Sequence, residues 1–270
     1  MGAQWSQDQA SQSKPSEDPR HNESQNMNTK ANAVDNTEVK TCDAKAKVVE
    51  NTEAAQLYDT KVKSVEKTAE VKLPHNYEAI IKDADSPIDK EKLYDQLCAG
   101  VFLNQNRKKY WVEKKFNKNC FMLFARDLLI TWSENNRFWH WCSLKESSDV
   151  VVDVAELENV CWLEVHGKME TTKLSPETMY EVAFVIMMKD PAYGWEVPVN
   201  LRLTLPNGNK QEHKESLMIK PRGQWVEIPV GQFKTSSENV GEIEFSLYEY
   251  EGGKWKKGLA IKGVFIRPKN

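Results

Sequence analysis

From residue 120 onward the apolar positions recur with period two. Val197, Val199, Leu201, Leu203 and Leu205 alternate with Pro198, Asn200, Arg202 and Thr204, the spacing of a strand with one buried face. Pro206-Asn207-Gly208 closes that strand, which begins at Trp195, as a hairpin turn. The stretch 180–188 is apolar on both faces, which predicts a central strand covered on each side. Further strands are expected at 161–165, 216–219, 224–230, 242–250 and 255–266, the last two joined by Glu251-Gly252-Gly253-Lys254. Many short strands with regular turn signals and no long helical stretch predict an all-β domain, a jelly-roll-like antiparallel β-sandwich.

The pattern is different before residue 120. Residues 1–40 are rich in Gln, Ser, Asn, Asp and Lys, with little to bury, and are expected to be disordered. From 41 to 73, Leu57, Tyr58, Val62, Val65 and Ala69 form a thin stripe at helical spacing, a marginal helix or, less readily, a coiled-coil segment. Residues 75–82 predict a short helix. Ser86-Pro87 reads as the start of a second helix that stops at Gly100. Three segments result: an arm at 1–74, a helical adaptor at 75–119 and the sandwich at 120–270.

One stretch stands out within the sandwich. Residues 125–141 read ARDLLITWSENNRFWHW, with three of the nine tryptophans inside ten residues. They predict a strand at 128–132, a polar turn and a returning strand through Phe138, Trp139 and Trp141. Alternation places Leu128, Ile130 and Trp132 on one face and separates Trp139 and Trp141 from Phe138. Trp132 is therefore expected to be partly core, and Trp139 to be the exposed platform. Such indoles are either ordinary core and rim aromatics or the flat apolar surface that covers a sugar ring.

Charge and composition narrow the function classes. A net charge of -3 over 270 residues gives no field to steer polyanions. Five cysteines, an odd number with no C-x-x-C pair, and the lack of a secretory pattern read as reduced thiols in the cytosol. Met1-Gly2-Ala3-Gln4-Trp5-Ser6 fits the pattern for myristoylation at Gly2, which by itself supports only weak, reversible membrane association. No nucleotide-binding glycine loop is present, the histidines lack metal-ligand spacing, and no Ser or Cys sits in a nucleophile elbow. A glycosidase needs two carboxylates flanking a sugar, and Glu242, Glu244 and Glu249 share one strand. Period two puts Glu242 and Glu244 outward and Glu249 on the core face near its end, so Glu242 and Glu249 do not share a face in a regular strand.

The chain from Ala125 onward resembles the phloem protein 2 family, the Nictaba-like plant lectins. The resemblance rests on Ala125-Arg126-Asp127-Leu128, Ile130-Thr131-Trp132, Phe138-Trp139 and Trp141, then Val154-Ala155-Glu156-Leu157, Cys161-Trp162-Leu163-Glu164 and Gly167-Lys168. It continues through Leu174-Ser175-Pro176, Ala192-Tyr193-Gly194-Trp195, Gly241-Glu242-Ile243-Glu244, Gly253-Lys254-Trp255 and Ile266-Arg267-Pro268. It implies a sandwich that binds N-acetylglucosamine oligomers and N-glycan cores in the phloem cytoplasm, without catalysis, metal or cofactor. The family's site tryptophans match Trp132 and Trp139, and its site glutamates match Glu242 and Glu249; Phe138 stands where relatives often carry tyrosine. The resemblance also permits a phloem filament component or an RNA-carrying protein, and it leaves a homodimer open.

Overall fold

The computed structural model describes residues 72–269. The expectations for 1–71, among them lipidation at Gly2, lie outside the described residues. Two short helices, α1 (Tyr77–Ile80) and α2 (Leu93–Ala99), precede the strands. These are β1 (Val101–Leu103), β2 (Lys108–Glu113), β3 (Lys118–Phe124), β4 (Leu129–Ile130), β5 (Trp139–Lys145), β6 (Val151–Leu157) and β7 (Leu163–Glu170). They are followed by β8 (Met179–Tyr193), β9 (Val199–Thr204), β10 (Lys210–Glu215), β11 (Trp225–Lys234), β12 (Glu242–Glu249) and β13 (Lys257–Pro268).

The strands form two antiparallel sheets, as the period predicts. The five-stranded sheet has the order β10-β9-β12-β7-β4. In the eight-stranded sheet β13 is the axis. It pairs with β8 along one side and on the other with β6 near its start and β3 near its end. The fork falls at Gly263, where a Cβ would lie 2.0 Å from the Leu123 carbonyl oxygen, so only glycine lets the two backbones close. Ile243, Phe245 and Leu247 of β12 and Leu201 and Leu203 of β9 face Val182, Phe184 and Ile186 of β8 and Ile261 and Val264 of β13, all fully buried. Phe184 and Phe245 meet edge to face with centroids 6.2 Å apart. The double-sided burial expected of 180–188 follows from the position of β8, whose outer face is partly covered as well.

Several local expectations shift. Residues 75–119 are helical only to Ala99; β1 and β2 then extend the larger sheet beyond β3. Their signal, Tyr110 and Val112 alternating with Lys109, Trp111 and Glu113, is short and flanked by bases. Asp89, not Ser86, caps the turn that leads into α2, accepting the Glu91 N–H at 2.9 Å. Gly100 does terminate α2, with φ +103°. The strand expected at 216–219 is instead loop, and the polar run Lys210–Glu215 pairs with β9. Being an edge strand with both faces largely wet, β10 shows no apolar alternation.

The extension is tied to the sandwich through Asn119, which is fully buried and satisfied. Its Oδ1 accepts the Tyr110 hydroxyl at 3.0 Å, and its Nδ2 donates to the carbonyls of His75 (2.7 Å) and Lys173 (2.8 Å). Its backbone N–H donates to Ser175 Oγ at 3.0 Å, and its carbonyl accepts the Tyr180 hydroxyl at 2.9 Å. Burial also pushes the neighbouring Cys120 thiol up to about 12. Thiol labelling of the folded chain near pH 8, read by peptide mass mapping, is therefore expected to leave Cys120 unmodified until the protein is unfolded. Labelling of Cys120 as fast as that of the half-buried Cys161 would contradict this burial.

Candidate functional site

The antiparallel register brings five loops to one end of the sandwich. Ile130 lies opposite Val165, Leu163 opposite Glu249, Asn200 opposite Tyr248, and Tyr193 opposite Lys257. Segments 131–138, 158–162, 194–198, 216–224 and 250–256 therefore all leave from the same end. Trp132, Trp162, Tyr250 and Trp255 sit on three of these loops and are 46–60% exposed. Large aromatics left this open, and gathered on loops at one end, mark a contact surface rather than a core.

Trp132 is built into its place. The strand expected at 128–132 is reduced to Leu129–Ile130, because Trp132 turns the chain with φ +62°. A left-handed conformation costs a bulky residue roughly 1–2 kcal/mol, and such positions gather at functional sites. The turn is closed by Ser133 N–H to Ile130 O (3.1 Å) and Asn135 N–H to Trp132 O (3.0 Å). The carbonyls on either side of Trp132 are each held by an indole. Trp139 Nε1 donates to Thr131 O at 3.1 Å, and Trp141 Nε1 donates to Ser133 O at 3.0 Å. The Arg126 guanidinium lies 3.6 Å from the Trp141 ring centre and is fixed by Asp153 at 2.8 Å. Phe138 packs obliquely on Trp132 at 5.3 Å.

The assignment of the two matched tryptophans is thus reversed. Trp139 is 2% exposed, a core residue that supports the loop, and Trp132 is the exposed ring. Alternation along 128–132 fails because the strand ends before Trp132, and Trp139 opens β5 on its inward face.

Glu164 anchors the same loop from below. Its carboxylate accepts the Thr131 hydroxyl at 3.0 Å and its carbonyl accepts the Thr131 N–H at 3.1 Å. His166, 3.0 Å away, holds the Glu164 carboxyl below the usual carboxylate range, with the Thr131 hydroxyl adding to the effect.

A buried ion pair organises the other two aromatic loops. Glu249 and Lys256 are both fully buried and paired with each other. Glu249 Oε1 accepts the Gly252 N–H at 2.6 Å, while Lys256 Nζ also donates to the carbonyls of Cys161 (2.7 Å) and Lys254 (3.0 Å). Lys256 and Val160 exchange backbone hydrogen bonds as well. One ammonium thereby joins the loop carrying Trp162 to the loop carrying Tyr250 and Trp255. Gly194 closes a third side, since a Cβ there would come 2.0 Å from the Trp255 carbonyl oxygen. Tyr250 stacks on Tyr248 at 5.3 Å, whose hydroxyl accepts from Arg202 Nη2 at 2.6 Å.

The four residues singled out by resemblance are therefore divided. Trp132, Trp139 and Glu249 gather at the loop end, one as surface and two as supports. Glu242 lies at the other end of β12, about 23 Å away at 3.3 Å per residue, exposed and paired with Lys168 at 2.8 Å. There it lines a 290 Å³ cavity with Asp127, Leu129 and Lys173. Trp162, Tyr250, Trp255 and Lys256 were not singled out by sequence reasoning. The available signal was aromatic residues next to turns, where no core demands them. Among the described residues, no group of three or more His, Cys, Asp or Glu side chains is placed to hold a metal ion, and no helix is long and apolar enough to cross a membrane.

A two-sheet β-sandwich with aromatic loops gathered at one end defines the structural class. The family model described as Phloem protein 2 matches residues 118–268, and the chain belongs to that family. It is 51% identical over 208 residues to Protein PHLOEM PROTEIN 2-LIKE A1 of Arabidopsis thaliana, covering 75% of this chain and 84% of that relative. It is 47% identical over 205 residues to a lectin of Luffa acutangula, covering 74% and 97%. Among solved structures it is similar to the CBM22-1 xylan-binding domain of Paenibacillus barcinonensis Xyn10C, with 10% identity, a TM-score of 0.32, and coverage of 54% and 87%.

Proposed function

We propose that the chain is a non-catalytic lectin of the phloem, and that its loop end binds oligosaccharides containing N-acetylglucosamine, such as chitin fragments and N-glycan cores. The observation that carries this reading is Trp132, an exposed indole held in a left-handed turn by the N–H groups of two other indoles. Its face suits the apolar C–H surface of a pyranose. Trp162, Tyr250 and Trp255 on neighbouring loops offer room for further sugar residues, and the 47% identity with a lectin of Luffa acutangula supports carbohydrate binding. In this reading Glu249 and Trp139 shape the site without touching sugar, and Glu242 takes no part in it. An open, water-exposed platform implies affinity on the order of micromolar to millimolar per site.

A glycan array probed with the full chain is expected to be brightest for chitin oligomers and N-glycan cores. A blank array would refute the function, while binding confined to glycans lacking N-acetylglucosamine would refute the specificity. Incubation with chitohexaose is expected to release no shorter oligomers; their appearance would make the chain an enzyme.

A further inference from the structure

The outer face of the larger sheet departs from what a sandwich requires. An outward face is ordinarily solvated and polar, yet here Met122, Phe124, Val152 and Val185 form a second buried cluster, separate from the main core. The register sets Lys109 beside Met122, Met122 beside Phe265, and Phe265 beside Ala183 across four strands of that face. Trp111 and Phe265 pack against the cluster and are half-buried. They line a cleft of about 410 Å³, within the size range of small-molecule sites.

The rim of this cleft carries charge of both signs, and only part of it is matched. Lys262 pairs with Glu146 at 2.6 Å, and Arg267 pairs with Glu181 at 2.5 Å and Glu227 at 2.8 Å. Lys109 has no carboxylate partner among the described residues; its ammonium lies 5.3 Å from the centre of the Phe102 ring. An apolar floor with one unmatched cation at its edge is complementary to a ligand with an apolar body and a single negative charge. The floor is recessed: neither Trp111, Met122 nor Phe265 is among the widely exposed apolar side chains. A cleft of this size, floored by buried and half-buried apolar side chains, suits a small molecule.

The segment ahead of the family domain builds one wall. Cys98, Lys109 and Trp111 line the cleft and precede residue 118, where the family match begins. The cleft also lies on the sheet face and not at the loop end, so it stands apart from the proposed sugar platform.

We propose that this cleft is a second binding site, for a small amphipathic carboxylate whose apolar body rests on Trp111 and Phe265 and whose carboxylate pairs with Lys109. The test uses the full chain and 1-anilinonaphthalene-8-sulfonate, which fluoresces on leaving water, with decanoate and decanol as competitors. The wild type is expected to bind the dye, and decanoate is expected to displace it more effectively than decanol. Lys109→Gln should weaken decanoate about tenfold, the loss of one charge-assisted contact, and leave decanol unchanged. Trp111→Ala should weaken both competitors, with circular dichroism checking its fold. Because Lys109 lies at the surface rim, Lys109→Gln decides the matter even if Trp111→Ala unfolds. No dye binding by the wild type, or equal decanoate affinity of wild type and Lys109→Gln, overturns the proposal.

Discussion

Replacing Lys256 with methionine is expected to lower the unfolding free energy by about 3–5 kcal/mol, the cost of leaving a buried charge without its partner. Glu249 is fully buried and keeps only the Gly252 N–H in that variant. The Cys161 and Lys254 carbonyls lose their donor at the same time. Urea unfolding checks the size of the loss through the transition midpoint. Glu249→Leu combined with Lys256→Met should cost less than the sum of the two single changes, because both members of the pair are then absent. Additive losses would mean that the two side chains do not act as a pair. The same substitution should loosen the loops bearing Trp162, Tyr250 and Trp255, so that weaker sugar binding accompanies weaker folding.

The second large effect separates the two matched tryptophans. Trp139→Ala empties a buried indole site and removes the donor to Thr131 O, and should cost about 3–5 kcal/mol. Trp132→Gly removes an exposed ring and relieves a left-handed backbone that glycine adopts freely, so its stability should stay within about 1 kcal/mol of wild type. Thermal unfolding of both variants distinguishes these roles. Equal destabilisation by the two would contradict the division into support and surface.

The sandwich was legible because its inner positions obey a strict period. Val199, Leu201 and Leu203 in β9 and Ile243, Phe245 and Leu247 in β12 have no other reason to alternate, and all six are fully buried. The Pro206-Asn207-Gly208 turn was legible for its chemistry, and it is closed by Gly208 N–H to Leu205 O at 2.8 Å. β10 was not legible, since an edge strand reading KQEHKE buries little on either face. The exposure of Trp132 was hidden for a different reason. Alternation holds only while the backbone stays extended, and no residue in Ile130-Thr131-Trp132 announces a left-handed turn. The site's framework was hidden too: Lys256 reaches Glu249 across a turn and Cys161 across ninety-five positions of sequence. No local pattern records that convergence. That Glu242 and Glu249 point to opposite faces followed from period two along one strand; their placement at its two ends is shown by the extent of β12.

In the proposed function an exposed Trp132, held by buried supports, forms the sugar platform. Calorimetric titration of chitotriose into the full chain and into Trp132→Ala tests it most directly. Wild type should bind in the micromolar to millimolar range, and Trp132→Ala should lose at least about tenfold in affinity, the worth of one stacked ring, with its unfolding midpoint nearly unchanged. Undiminished affinity in a folded Trp132→Ala would contradict it.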